Sequence, residues 1–405
     1  MQQAESVSGK TSTTSWTAFA IVYLVGMAGG SAYGLVGPLV GQIAQHFQVS
    51  VPAVGGILIC LFLPGVLFGT AIGAMVDRIG ARLMLLCGAA LLAVVDGLQL
   101  LAPSLFWFAA GLLALGVAIS AIFSAGQVMV SGAFTGADRA RGLTLWSTVN
   151  FLGYAAGLFL AGMAASGPGW KSAFAFHGLA SGVAAVVALF LPRRIAGATA
   201  VEKPPSLKAL IHEVGVLRIS FALGLASIAG VGVNASISLY LHDSQHVAIG
   251  LTASAAAIGN IICIAGGLGT GWLLGKGLSP IRLAIGVSLI ATAAGVVLFL
   301  PWINFQGAVA TLYVYQICLS AITALTYAAM PGLLKNQNGM GAASGFLLQI
   351  GGFGAMLGPT LFFAVEATGD WKLLVVVIAG LWAASFLIFP KGGAKPALVA
   401  RTESA

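Results

Sequence analysis

The chain has 405 residues, of which 59% are hydrophobic and only 7% are charged. A soluble protein of this size needs more charge on its exterior, so the composition excludes a soluble globular protein. The net charge is +8, but the basic residues form no patch with interleaved aromatic residues, which argues against binding to nucleic acid. Hydrocarbon is therefore the natural solvent for most of these side chains.

Residues 1–15 are polar and lack a cleavable signal sequence, so we interpret them as a cytoplasmic tail before a retained first helix. The apolar segments that follow are long enough to cross a membrane, which takes about 20 residues. We number the twelve predicted spans in chain order: 16–41, 51–74, 82–102, 105–131, 142–164, 172–191, 216–241, 248–274, 282–301, 306–332, 341–365 and 372–390.

One connection between spans is long, rich in charge and contains proline. It covers 192–215 and divides the spans six and six. The sequence therefore predicts an N-terminal bundle at 16–191, a cytoplasmic linker at 192–215, a C-terminal bundle at 216–390 and a cytoplasmic tail at 391–405.

A concentration of charge separates spans 2 and 3, in the stretch GAMVDRIGAR at 73–82. Asp77 stands beside Arg78, and Arg82 follows one helical turn later. Asp77 either lies near the positive end of a neighbouring helix and pairs with a basic residue, or belongs to a solvated turn.

Two further titratable residues lie inside predicted spans. Asp96 is about 21 Å along span 3 from Arg82 at the rise of an α-helix. It is either a proton carrier or an acid that faces the outer vestibule or a neighbouring helix. His177, in span 6, is either a structural hydrogen-bonding residue or a proton relay.

Lysine and arginine positions predict the orientation of the spans. When the N-terminus is placed in the cytoplasm, all 18 of these residues except Lys171 and Lys372 lie on the cytoplasmic side. We therefore expect an inner-membrane protein with both termini in the cytoplasm.

The two exceptional lysines also reveal an internal repeat. Each follows a tryptophan and precedes the last span of its half, at an offset of 201 residues. The same offset aligns Gly153 with Gly354 and Gly157 with Gly358, and Arg82 aligns with Arg282 at an offset of 200. The halves are thus predicted to be parallel repeats.

The stretch at 73–82 resembles the signature between helices 2 and 3 of the major facilitator superfamily, with Ala81 in place of one basic residue. The counterpart at 271–282 keeps Gly271, Lys276 and Arg282 but has Gly275 in place of the acid. The resemblance implies an all-α membrane protein, with twelve transmembrane helices in two pseudo-symmetric six-helix bundles that form a secondary carrier.

The resemblance also implies a cytoplasmic gate in which the signature closes against helix 11. We assign to this gate the residues of the signature and the charges of the loop between spans 4 and 5: Gly73, Asp77, Arg78, Gly80, Arg82, Asp138 and Arg141.

The family places helices 1, 4, 7 and 10 around the central cavity, and these spans carry polar residues at helical spacing. Such residues either line a wet cavity or join helices to one another. The predicted cavity residues are Tyr23, Met27, Ser31, Ser120, Ser124, Gln127, Asn234, Ser238, Tyr313, Gln316, Ser320, Thr323 and Tyr327.

No lysine or arginine lies deep within a predicted span, which disfavours a strongly anionic substrate. A neutral, zwitterionic or amphipathic solute fits better, and polar groups or helix ends could still hold a monocarboxylate. We predict a secondary transporter for a small organic solute, with proton coupling at Asp96 and export favoured over uptake. An uptake carrier or exchanger for a monocarboxylate or another small metabolite is the alternative.

Proteins of other classes fit the sequence less well. An intramembrane enzyme needs a nucleophile and base or a set of metal ligands at membrane depth, and the sequence has no such pattern. A channel does not need the two similar halves or an inner latch. We predict no catalytic residue, no metal and no cofactor. The expected partners are a small-molecule substrate, protons and the lipid bilayer, with no nucleic acid, and the chain is expected to be a monomer.

Overall fold

The computed structural model describes residues 2–165, 167, 169–192, 212–247, 249–300, 302–334, 339–366, 368 and 372–390. Within these ranges the ordered elements are helices, and no β-strand occurs. The helices of the first half are Gln2–Leu35, Val40–Phe47, Val51–Ile57, Ile59–Ile79, Ala81–Gln99, Leu105–Ala133, Gly136–Ser147, Val149–Ala165 and Trp170–Ala188. Those of the second half are Val214–Gln245, Ile249–Ile262, Ile264–Gly275, Pro280–Leu298, Phe305–Leu333, Met340–Glu366 and Lys372–Ile388.

These helices match the predicted spans in order. Eleven helical segments of the described chain are long and apolar enough to cross a membrane, and Lys372–Ile388 is an apolar helix of 17 residues. Spans 2, 5 and 8 each consist of two consecutive helices, interrupted at Leu58, Thr148 and Cys263. The predicted tail at 1–15 is helical from Gln2, while most of the predicted linker and the whole tail at 391–405 lie outside the described residues.

The chain divides into two compact units. The first contains Met1–Leu207 together with Asn336–Gly345, and the second contains Lys208–Lys335 together with Phe346–Ala405. The division near 207 falls within the predicted linker. The segment Asn336–Gly345, which includes the first turn of span 11, belongs to the first unit rather than to the C-terminal bundle predicted at 216–390.

Each unit has its own helix packing. In the first unit, span 1 packs on spans 4, 5 and 6, span 3 packs on spans 4 and 6, and span 2 packs on span 4. In the second unit, span 10 packs on spans 7, 8 and 9, and span 12 packs on spans 7 and 9.

Large apolar side chains remain exposed on the outside of many helices. The exposed fraction is 58% for Phe68, 71% for Phe159 and 68% for Val376. Water would penalise so much exposed apolar surface, whereas lipid would not. This distribution is the one expected for helices surrounded by a bilayer.

The glycines aligned by the repeat occupy equivalent packing positions in the two units. Gly153 of span 5 lies against span 1, where a Cβ atom would be 2.7 Å from the Met27 carbonyl oxygen and 2.8 Å from Gly30 Cα. Gly354 of span 11 lies in the same way against the backbone of Gly224 in span 7. Small residues allow such close approach between membrane helices.

We expect the substitution Gly153→Val to lower the free energy of unfolding by about 1–3 kcal/mol, because the added side chain must push span 1 away. The apparent Tm of the purified protein is the measurement. Gly162→Val in the same span is the matched control, since no atom of a neighbouring element lies within 4 Å of a Cβ at Gly162. Equal Tm changes in the two variants would contradict this packing.

Candidate functional site

The carboxylate of Asp77 binds the first turn of span 11, within the first unit. Asp77 Oδ1 accepts a hydrogen bond from the Gly341 N–H at 2.8 Å, and Oδ2 accepts one from the Ala342 N–H at 2.9 Å. Only 5% of Asp77 is exposed. The first N–H groups of a helix have no partner within the helix and carry its positive dipole end. The two bonds therefore compensate the buried carboxylate. We call this contact the Asp77 junction.

A close helix crossing allows the Asp77 junction to form. A Cβ atom on Gly341 would lie 2.5 Å from Asp77 Oδ1 and 2.5 Å from the Gly73 carbonyl oxygen, so only glycine fits this position. Gly345 approaches the backbone of Gly69 in the same manner one turn further along. The crossing thus pairs glycines four residues apart on each helix.

Of the other predicted gate residues, Gly73 is part of this crossing. The remaining ones have different surroundings. Gly80 links spans 2 and 3 with a φ of 99°. Arg78 is exposed. Asp138 and Arg141 form a solvent-exposed ion pair with each other at 3.3 Å. Asp77 lies at the positive end of a neighbouring helix, as one of the two alternatives from the sequence has it, but it forms no ion pair with a basic residue within the described part of the chain.

Arg82 caps the end of span 6. Its Nε donates to the Leu191 carbonyl at 3.0 Å, and Nη2 donates to the Leu189 carbonyl at 2.9 Å. A cation is favourable at a helix C-terminus, where carbonyl groups lack partners. The structure thus gives Arg82 a capping contact, and its assignment to the gate stays a prediction.

The second unit contains a similar cap made by a different residue. Arg218, near the start of span 7, donates from Nε to the Ile388 carbonyl at 2.8 Å at the end of span 12. Its Nη2 also reaches the Phe389 carbonyl at 3.3 Å. Arg282, which the repeat aligns with Arg82, instead donates its backbone N–H to Ser279 Oγ at 3.2 Å. The two caps are alike in chemistry but not in repeat position.

Spans 1, 3 and 6 meet at a buried chain of polar groups, which we call the Asp96 cluster. Asp96 Oδ2 lies 2.6 Å from His177 Nδ1. His177 Nε2 lies 2.8 Å from Ser31 Oγ and 3.0 Å from the Ala28 carbonyl oxygen. The exposed fractions are 0% for Asp96, 2% for His177 and 7% for Ser31. An acid and a base within hydrogen-bond distance can exchange a proton inside the span.

The sequence identified each member of this cluster but not the cluster itself. The sequence pattern gives Asp96 and His177 separate roles and predicts Ser31 as a cavity residue. The available signal was that Asp96 is the one acid within span 3 and His177 the one histidine within span 6, and that both lie toward the outer ends. Only the tertiary contact between spans shows which groups bind one another.

The predicted cavity residues of the first unit differ in their surroundings. Ser120 Oγ donates to the Gly116 carbonyl at 2.8 Å within span 4. Tyr23 forms a hydrogen bond of 2.6 Å with Thr148 Oγ1 at the interruption of span 5. Ser124 and both amide atoms of Gln127 are buried without a partner among the described residues, whereas Met27 is half-buried and Ser131 is buried.

An aromatic stack, not predicted from the sequence, joins spans 1, 2 and 4. The ring of Tyr33 lies parallel to that of Phe62 at a centroid distance of 4.8 Å and stacks on Phe123 at 6.4 Å. Stacked rings present flat, polarisable faces. The stack adds an apolar surface to the first unit, where the sequence analysis pointed mainly to polar residues at helical spacing.

In the second unit, two predicted residues bind each other. The Asn234 and Gln316 side chains exchange hydrogen bonds between spans 7 and 10. Thr323 Oγ1 donates to the Leu319 carbonyl at 2.8 Å, and Ser320 Oγ is buried without a partner among the described residues. Tyr327 is buried and Tyr313 half-buried, while the Ser238 side chain lies outside the described residues.

Three comparisons with known proteins agree with this architecture. A sequence profile of the Major Facilitator Superfamily matches residues 19–359. The "Nitrite extrusion protein" of Bacillus subtilis (strain 168) is 24% identical over 374 residues, covering 89% of this chain and 90% of that protein.

Two solved structures share the fold. The human organic anion transporter MFSD10 superposes with a TM-score of 0.77 at 15% identity, covering 93% of this chain and 99% of the other. The Escherichia coli fucose:proton symporter FucP superposes with a TM-score of 0.70 at 16% identity, covering 92% of this chain and 97% of the other.

We expect Asp77→Asn to lower the free energy of unfolding by about 1–3 kcal/mol, because the amide nitrogen cannot accept a backbone N–H and the charge at the helix end is lost. The apparent Tm measures the effect. Arg78→Gln, at the exposed neighbouring position, should change the Tm little. A Tm of the Asp77→Asn variant no lower than that of the Arg78→Gln variant would refute the structural importance of the Asp77 junction.

Proposed function

Because the chain belongs to the Major Facilitator Superfamily, we propose that it moves a small organic solute by alternating access, driven by the proton gradient and with export favoured. It is a multi-pass membrane transporter and not an enzyme. The proposal extends to an inner-membrane monomer with both termini in the cytoplasm, which the lysine and arginine distribution supports.

The observation that carries proton coupling is the hydrogen bond between Asp96 and His177. A charged carboxylate inside a span is costly, so a buried acid is retained where it serves ion or proton movement. Asp96 and His177 form a buried acid–base pair, the arrangement needed to bind and release a proton without leaving an isolated charge. The name of FucP, a fucose:proton symporter with the same fold, is consistent with this coupling.

The predicted cavity side chains are uncharged. Gln127 and Ser124 in the first unit have unused hydrogen-bonding atoms, and the Tyr33 stack adds aromatic surface nearby on span 1. Amides and hydroxyls both donate and accept hydrogen bonds, and aromatic rings bind apolar groups. This combination supports a neutral, zwitterionic or amphipathic solute.

A small monoanion, such as a monocarboxylate, is the second candidate. The amide N–H groups of Gln127 in the first unit, or those of Asn234 and Gln316 in the second, can donate to an anion without a buried cation. The names of two similar proteins, a nitrite extrusion protein and an organic anion transporter, favour this class. Uptake or exchange of such an anion is the corresponding alternative to export.

We further propose that the Asp77 junction is the cytoplasmic gate, formed in one state of the transport cycle and broken in another. Its support is the pair of hydrogen bonds to Gly341 and Ala342, which are strong enough to hold a closed state and few enough to break. In this proposal Gly73 allows the close helix crossing, and Arg78, Asp138 and Arg141 are charges at the membrane edge. Gly80 forms the turn to span 3, and Arg82 caps span 6.

Transport itself can be tested in proteoliposomes containing the full-length protein. A thermal-shift screen with nitrite, L-lactate, L-alanine and L-fucose identifies a ligand by stabilisation of the folded state. For a carrier, labelled ligand should accumulate by counterflow against the same unlabelled ligand, and a pH gradient should drive net movement. The absence of counterflow with a ligand that stabilises the protein would contradict a carrier.

Asp96→Asn tests the coupling site in the same vesicles. The variant should lose gradient-driven movement because the amide cannot take up and release the proton. Ser181→Ala, a buried position in span 6, should retain it. Full gradient-driven transport by Asp96→Asn would rule out Asp96 as the coupling residue.

Asp77→Asn tests the gate. The variant should insert into the membrane at the wild-type level but lose transport, since the closed cytoplasmic state is no longer held. Arg78→Gln is the exposed control. Normal transport by Asp77→Asn would show that the Asp77 junction is not the cytoplasmic gate.

A further inference from the structure

The surroundings of His177 Nε2 reveal where a proton resides in the Asp96 cluster. Nε2 lies 3.0 Å from the Ala28 carbonyl oxygen, which can only accept a hydrogen bond. It also lies 2.8 Å from Ser31 Oγ, whose own hydrogen points to the same carbonyl at 2.8 Å. These three contacts are satisfied together only when Nε2 carries a hydrogen.

A second hydrogen lies on the other side of the ring. Nδ1 and Asp96 Oδ2 are 2.6 Å apart, so one hydrogen lies between them. One hydrogen is therefore on Nε2 and another lies between Nδ1 and Asp96 Oδ2. The pair is either an imidazolium with a carboxylate or an imidazole with a carboxylic acid. Both forms have no net charge, which suits a site that is almost entirely buried.

Loss of one proton leaves an imidazole, a carboxylate and a net charge of −1. The remaining ring hydrogen stays on Nδ1, because the Asp96 carboxylate needs a donor. Nε2 then has a bare lone pair facing the Ala28 carbonyl oxygen, and two acceptors cannot bond to each other. The Ser31 hydroxyl has one hydrogen, which it can donate either to Nε2 or to the Ala28 carbonyl, but not to both. At least one contact between span 6 and span 1 is therefore lost.

No other charged group compensates for that change. The remaining charged side chains of spans 3 and 6 are Arg82, at the cap, and Lys171, beside the Trp170 ring. Spans 1 and 4 carry no charged residue between Trp16 and Leu35 or between Leu105 and Ala133. Other polar or titratable groups on the packed spans include Gln99, Ser181, Cys87, Tyr23, Tyr33 and Tyr154, together with Ser124 and Gln127 of span 4. The charged residues of span 5 are Asp138, Arg139 and Arg141, in its first turns.

We propose that proton occupancy of the Asp96–His177 pair decides how span 6 is hydrogen-bonded to span 1, with Ser31 and the Ala28 carbonyl as the positioning groups. The proton-loaded pair binds both groups, and the proton-free pair releases the Ala28 carbonyl. As an account of coupling, the inference rests on the proposed function.

Span 1 is well placed to transmit this change within the first unit. The Ser31 backbone packs against Gly157 of span 5, and Tyr33 of the aromatic stack follows two residues later. A proton bound between spans 3 and 6 thus acts on the span that carries the predicted cavity residues Tyr23 and Met27.

The experiment measures the apparent Tm of the purified full-length protein as a function of pH, without a substrate. Wild-type protein should lose roughly 2–4 °C as the pair loses its proton, the value expected for about one hydrogen bond. Asp96→Asn should remove this step, because its amide donates to Nδ1 and keeps the hydrogen on Nε2. Ser181→Ala should shift the whole curve without changing the step.

Ser31→Ala tests the role of span 1. It should alter the size or midpoint of the step in the wild-type background and give only a pH-independent offset in the Asp96→Asn background. Ser31→Thr, which keeps the hydroxyl, should restore the wild-type step. A pH-independent offset from Ser31→Ala in both backgrounds would overturn the inference, as would the absence of a step in wild type or its persistence in Asp96→Asn.

The two proposals fail in different ways. If a pH gradient drives transport but Ser31→Ala leaves the Tm step unchanged, proton coupling is supported and the effect of the proton on the contact with span 1 is refuted. If the Tm step depends on Asp96 and Ser31 but the pH gradient drives no transport of a ligand that stabilises the protein, the effect of the proton on the contact with span 1 is supported. Its role in proton-coupled transport is then refuted.

Discussion

Hydrocarbon offers no hydrogen-bond partner, so each polar group inside a span must find one within the protein. For its charged side chains the structure largely meets this requirement by contacts between spans distant in sequence, whereas Ser124, Gln127 and Ser320 are buried without a partner among the described residues. Asp77 uses the free N–H groups of span 11, Asp96 uses the His177 ring, and Arg82 and Arg218 use the free carbonyls of helix ends. These few polar groups therefore determine which particular spans contact one another. Apolar packing stabilises the bundle as a whole without selecting such pairs.

The sequence was sufficient to predict the fold, because the signal for a membrane helix is local. A run of about 20 apolar residues identifies a span without knowledge of its neighbours. The count of twelve and the two similar halves followed from such runs and from repeated pairs such as Gly153 and Gly354, and the family followed from the signature at 73–82. The closeness of these glycines to spans 1 and 7 explains physically why the repeat keeps glycine there.

The site was only partly predictable, because partners in space are far apart in the chain. Asp96 and His177 are 81 residues apart, and His177 and Ser31 are 146 apart. No helical periodicity connects such positions. For Asp77 the sequence indicated the positive end of a neighbouring helix together with a basic partner, and only the first is present among the described residues. The sequence also did not indicate the stacking of Tyr33 on Phe62.

The capping contact of Arg82 changes how natural variation at this position should be interpreted. Arg82 ends a recognisable family signature, so a substitution there invites the conclusion that gating is impaired. Its guanidinium instead neutralises the exposed carbonyls where the sixth helix leaves the membrane. A harmful variant at this position would reduce the amount of folded transporter, and correcting expression rather than restoring a gate would recover the phenotype.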